Sequence, residues 1–282
     1  MTTRHRSGWI AKVIVATMTA IAIGGWSLSV PTVVVDGAMA ADPSPSASAV
    51  EAAAAKPSPA ARRQLSIIGL GDSVMAGTAC GCNGIMNGFA TAIAAHTGDQ
   101  VTAANFGDPG ATSQDLLNDL RTDDAVREAV VHADVIVVIS GANDLYDAYA
   151  SQQSGGCNAS CYEPAVGTMK TSLSAAMDVL RGLNSSAQLL ICDYWAIFPD
   201  GAAVTGPGRA SELAFNAAIT DAANSAIAEV ASTHQAALID LITPFKGRSR
   251  VGDPTALLAS DGDHPNAAGV RRIVAALMAR FR

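Results

Sequence analysis

The chain has 282 residues, 49% hydrophobic and 15% charged, enough apolar content to bury a sizeable core and too much for a disordered chain. Its formal net charge of −7 argues against nucleic acid as a partner, because phosphates need clustered Lys and Arg. The same charge argues against electrostatic docking on anionic lipid.

At the N-terminus, Arg4, His5 and Arg6 precede Lys12 and an apolar run from Val13 to Val30. Pro31 follows, then Ala38-Met39-Ala40, small residues of the kind a signal peptidase reads. This order predicts a secretory signal over residues 1–40 and an extracytoplasmic, envelope-associated or secreted protein. A retained membrane anchor is the alternative. The small-residue site favours cleavage, and with it no stable membrane insertion of the mature chain. Residues 41–63 are Ala, Pro and Ser with almost no bulky apolar side chain, which predicts a flexible linker. The folded domain is expected to span 64–282.

Short apolar runs predict strands over Leu65–Leu70, Val101–Phe106, Val135–Ser140, Leu189–Tyr194 and Ala237–Leu241. Val135–Ser140 is apolar almost throughout, as suits a strand covered on both faces. Between these runs, helical stripes are predicted over Pro164–Leu183, Ser211–His234 and the segment after Pro265. The alternation implies an α/β fold, a parallel sheet with helices on both sides and ligands at the strand carboxyl ends.

Four motifs fall beside those strand ends. They are Gly71-Asp72-Ser73, the block Asn105–Thr112 containing Gly110, Gly141-Ala142-Asn143-Asp144, and Asp261-Gly262-Asp263-His264-Pro265-Asn266. A serine hydroxyl is a weak nucleophile and needs an adjacent base, which His264 can supply. An imidazole needs a partner to fix its tautomer, and Asp261 stands three residues earlier. Attack on an ester builds charge on the carbonyl oxygen. The backbone N–H groups of Ser73 and Gly110 and the Asn143 amide are candidate donors to it.

The four blocks, in this order, resemble the SGNH hydrolases, also called GDSL esterases and lipases, over nearly all of the folded region. The resemblance implies a three-layer α/β/α sandwich with a flavodoxin-like parallel sheet of about five strands. It implies a catalytic triad of Ser73, Asp261 and His264, and an oxyanion hole from Ser73, Gly110 and Asn143. Val74 stands where the family often has Leu, under the nucleophile turn, with no expected effect on the chemistry. The three-residue spacing favours Asp261 over the neighbouring Asp263 as the partner of the ring. The implied activity is an esterase or lipase acting through an acyl-enzyme. A carbohydrate O-acetyl esterase, an envelope acyltransferase and a non-catalytic envelope-binding module are the alternatives, the last disfavoured because no motif residue is missing.

Asp72 and Asp144 are expected to brace their turns. His96 and His234 end helices, and His132 has no assigned role. No His, Cys or Asp cluster has convincing zinc or calcium spacing, so no metal or other cofactor is expected. Of five cysteines, Cys192 is expected to be a buried thiol. Cys157–Cys161 and Cys80–Cys82 are the favoured disulfides, with cross-pairing of the two loops or a zinc site as alternatives. The segment Tyr146–Glu163 reads as a polar loop bordering the site. Tyr146, Tyr194 and Trp195, with Ile197 and Phe198, are candidates for a substrate pocket; simple core packing is equally open. A monomer acting on a small-molecule, lipid or glycan ester is expected.

Overall fold

The computed structural model describes residues 62–155 and 161–282. The expected signal and most of the expected linker lie outside these residues, as does Cys157.

Five strands form one parallel sheet: β1 (Gln64–Gly71), β2 (Gln100–Gly107), β3 (Val135–Ile139), β4 (Gln188–Cys192) and β5 (Ala237–Ile239), in the order β2-β1-β3-β4-β5. Every residue of β3 is buried, and its run of Val and Ile suits a strand covered on both faces. Edge strand β2 is only half-buried.

The helices are α1 (Ser73–Ala76), α2 (Gly84–Thr97), α3 (Ser113–Thr122), α4 (Asp124–Val131), α5 (Tyr146–Gln153), α6 (Glu163–Leu183), α7 (Arg209–Thr233), α8 (Ile242–Lys246) and α9 (Ala267–Met278). From β1 the chain moves outward to β2, then crosses back over β1 to β3. Right-handed crossovers in opposite directions put helices on opposite faces of the sheet. Accordingly α2 packs with α9, while α3, α6 and α7 form a contiguous row. The result is the expected three-layer α/β/α sandwich. The direction reverses between β1 and β3, where open α/β sheets leave a crevice for ligands.

One expected loop is partly helical. Residues 146–153 form α5, whose sequence YDAYASQQ has no apolar stripe to announce it. Among the described residues, no helix is long and apolar enough to cross a membrane.

Candidate active site

Ser73 opens α1 directly after β1. Asp72 caps that helix, its Oδ1 accepting from the Val74 N–H at 2.9 Å, and Gly77 ends it four residues later in a left-handed conformation. The turn is held between two strands. Asp72 N–H donates to the Ile139 carbonyl at 3.0 Å, and Asp108 N–H donates to the Gly71 carbonyl at 2.8 Å. Asn105, on β2, donates from Nδ2 to the Met75 carbonyl at 2.8 Å. Gly71 has φ +136°, and a Cβ there would overlap the Ile139 carbonyl.

His264 arrives from the turn before α9. Its Nε2 lies 2.8 Å from Ser73 Oγ, and its Nδ1 lies 2.9 Å from Asp261 Oδ2. The Asp261 Oδ1 accepts from the N–H groups of Asp263 and His264, both at 3.0 Å. Burial works against the Asp261 charge, but these N–H bonds and the ring outweigh it and hold its carboxyl below the usual range. The turn is tied down as a short β-bridge between Leu258 and Pro265, with Asn266 donating to the Ala256 and Leu258 carbonyls. Asp263 makes no bond to the ring. Burial raises its carboxyl to about 6.

Gly110, φ +91°, and Asn143 border the same cleft as Ser73 and His264. Asn143 Nδ2 donates to the Ala111 carbonyl at 2.9 Å, fixing the amide beside the Gly110 turn and leaving its second N–H. Asp144 accepts from the Ser113 N–H at 2.8 Å and hydroxyl at 2.6 Å, so it also braces the start of α3.

A cleft of about 390 Å³ opens over Ser73. It is lined by Tyr146 and Tyr149 of α5 and by Ile197, Phe198 and Pro199 after β4. Tyr149 and Phe198 stack on each other, ring centroids 4.2 Å apart and planes 10° from parallel, which joins α5 to the segment after β4. Tyr149 also donates to Glu212 at 3.1 Å, and burial together with that carboxylate pushes its phenol up to about 12. Tyr194 reaches the cleft floor but is 1% exposed, its hydroxyl donating to Asp72 Oδ2. Asp72 is fully buried, and burial raises its carboxyl to about 6.

Trp195 corrects the expectation for the pocket. It is 1% exposed and stacks on Phe245 at 4.1 Å, away from the cleft, because alternate residues of an extended segment face opposite ways.

A polar seam on α7 holds the segment after β4. Asn224 bonds both the N–H and carbonyl of Tyr194, at 3.0 and 2.7 Å; Thr220 accepts from the Ile197 N–H at 3.1 Å; Asn216 donates to the Pro199 carbonyl at 2.8 Å. All three are buried. Their i, i+4 spacing beside the apolar stripe was the available signal: polar groups on a buried helix face need buried partners.

The sulfurs of Cys80 and Cys82 form a close pair, Cα atoms 5.2 Å apart, at the end of the segment following α1. Cys192 is a buried free thiol. Among the described residues, no group of three His, Cys, Asp or Glu side chains is gathered to hold a metal ion.

No curated protein matches the chain. Solved structures do, at low identity. The lipase Lip_vut3 from a goat rumen metagenome matches at TM-score 0.60 and 18% identity over 76% of this chain and 96% of its own. Phospholipase A1 from Streptomyces albidoflavus matches at 0.52 and 18%, over 77% and 99%. The acetyl xylan esterase AlAXEase matches at 0.52 and 18%, over 77% and 100%. These likenesses establish the fold. The sequence profile of the GDSL-like lipase/acylhydrolase family matches residues 70–272, from the end of β1 into α9, and so spans every motif described above. The chain therefore belongs to the GDSL-like lipase/acylhydrolase family, hydrolases that act on small-molecule esters.

Proposed function

We propose that the protein is an exported serine esterase that cleaves carboxylic esters through an acyl-enzyme on Ser73. One observation carries this reading: the unbroken hydrogen-bond relay from Ser73 Oγ through His264 to Asp261, at the floor of an apolar cleft. His264 Nε2 takes the Ser73 proton as Oγ attacks the carbonyl carbon, then returns it to the departing alkoxide. Asp261 keeps Nδ1 protonated and stabilises the imidazolium. The Ser73 and Gly110 N–H groups and the free N–H of Asn143 receive the oxyanion. Water then enters and attacks the acyl carbon as His264 removes its proton, and the imidazolium returns that proton to Ser73 Oγ as the acid leaves.

Residues 1–40 serve in this proposal as the export signal and 41–63 as a tether. The oxidising compartment closes Cys80–Cys82 as a disulfide, and Cys157–Cys161 as a second. The aromatic and apolar walls favour an acyl ester over a fully hydrated substrate.

The test is hydrolysis of p-nitrophenyl esters from acetate to palmitate, with Ser73→Ala alongside. Activity that disappears in the variant, whose circular dichroism stays native, supports the reading, and the chain-length optimum separates esterase from lipase. A Ser73→Ala protein of undiminished activity would sink it.

A further inference from the structure

The ionisable side chains bordering the cleft are unevenly signed. Among the described residues that line it there is no Lys or Arg, but there is Asp263, beside His264. Asp261 holds the ring, and the Asp263 carboxylate accepts no hydrogen bond from any described residue. Tyr149 lines the same cleft and lies within electrostatic reach of Asp263. A half-buried carboxylate without a donor is a costly group unless a ligand pairs with it.

Part of the cleft lining is aromatic. Tyr149 stacks on Phe198, and Tyr146 stands 62% exposed at the rim. Glu212 accepts the Tyr149 hydroxyl proton's bond from behind, which makes that ring more electron-rich. Ring faces attract a cation lying over them, and alkylammonium groups that shed little water are their usual ligands. An anionic group in the same place would meet Asp263 and the ring faces, with no Lys or Arg lining the cleft to pair with it.

We propose that the cleft selects esters carrying an alkylammonium group, bound between the Asp263 carboxylate and the Tyr146–Tyr149 aromatic wall, and rejects anionic esters. This rests on the ester-cleaving role proposed above. Asp263 is thereby a specificity-determining residue; it takes no part in the Ser73–His264 proton transfer.

The experiment compares three esters that share one acyl group. The alcohols are choline, its uncharged isostere 3,3-dimethylbutanol, and 4-hydroxybutanoate. Work at pH 8 keeps Asp263 ionised. The expected result is kcat/KM about tenfold higher for the choline ester than for the neutral ester, with the anionic ester lower still. In Asp263→Asn the choline-to-neutral ratio falls toward one. A ratio at or below one in the wild type overturns the proposal, as does a high ratio that Asp263→Asn leaves untouched. Turnover of the neutral ester reports on the ester-cleaving role independently. If no ester is turned over, that role has failed, and NMR titration of choline against 3,3-dimethylbutanol decides the cation site. Choline binding weakened by Asp263→Asn sustains it; equal binding of the two alcohols removes it.

Discussion

Asn143 stands where three jobs meet. It ends the turn after β3, ties Ala111 to that turn and faces the cleft. Asn143→Ala is expected to lower kcat by about 10²–10³ with little change in KM, as loss of one oxyanion donor does; a steady-state kinetic comparison checks it. Asp193 offers a second test at this scale. It is 5% exposed, and burial raises its carboxyl to about 7, although it accepts from the Leu241 N–H at 2.6 Å. The folded protein thus holds this proton up to a higher pH than the unfolded chain, whose Asp titrates near 3.8. Its stabilising contribution is full below that value and is lost as pH rises to about 7. Asp193→Asn keeps an acceptor for Leu241 and removes the charge. It should be more stable than wild type by roughly 2–4 kcal/mol at pH 8 and lose that advantage near pH 4. Urea titrations at both values decide it, and an advantage that does not vary with pH contradicts the argument.

At the scale of elements, α7 and the 194–199 segment behave as one piece. Asn224→Ala leaves the Tyr194 N–H and carbonyl buried without partners and is expected to cost about 2–4 kcal/mol. It should also raise KM more than it lowers kcat, because the wall moves while the Ser73–His264 bond does not. Thermal unfolding and kinetics on the same preparation check both halves. The sequence announced α6 and α9 through their apolar stripes, and the strands through short apolar runs. It concealed α5, which is too polar to show a stripe, and it did not single out α2, α3 and α4. The motif residues were legible because turns beside strand ends need Gly, Asp and Asn at set positions. The side to which Trp195 points was not, since that depends on Phe245, fifty residues away in the chain. The Tyr194–Asp72 bond spans 122 residues and has no local signature at all.

For the whole molecule, the relay joins residues 191 apart, with four of the five strands between them in the chain. Ser73 depends on β1, β2 and β3; His264 depends on the bridged turn and on α9, which packs against α2. The Ser73–His264 contact cannot assemble before the core does. Activity and helical circular dichroism should therefore be lost together in urea, in one cooperative transition. An earlier loss of activity would show that the His264 turn opens by itself.

The glycines that bracket the Ser73 turn decide where this protein can change. Any side chain at Gly71 overlaps the Ile139 carbonyl, and one at Gly107 overlaps the backbone of Met75 and Ala76. Neither obstacle is a flexible side chain that could swing aside. The walls made by α5 and by residues 194–199 carry no such restriction on Tyr146 at their rim. Laboratory evolution toward a new ester should accumulate substitutions along those walls while positions 71 and 107 stay glycine in every surviving clone.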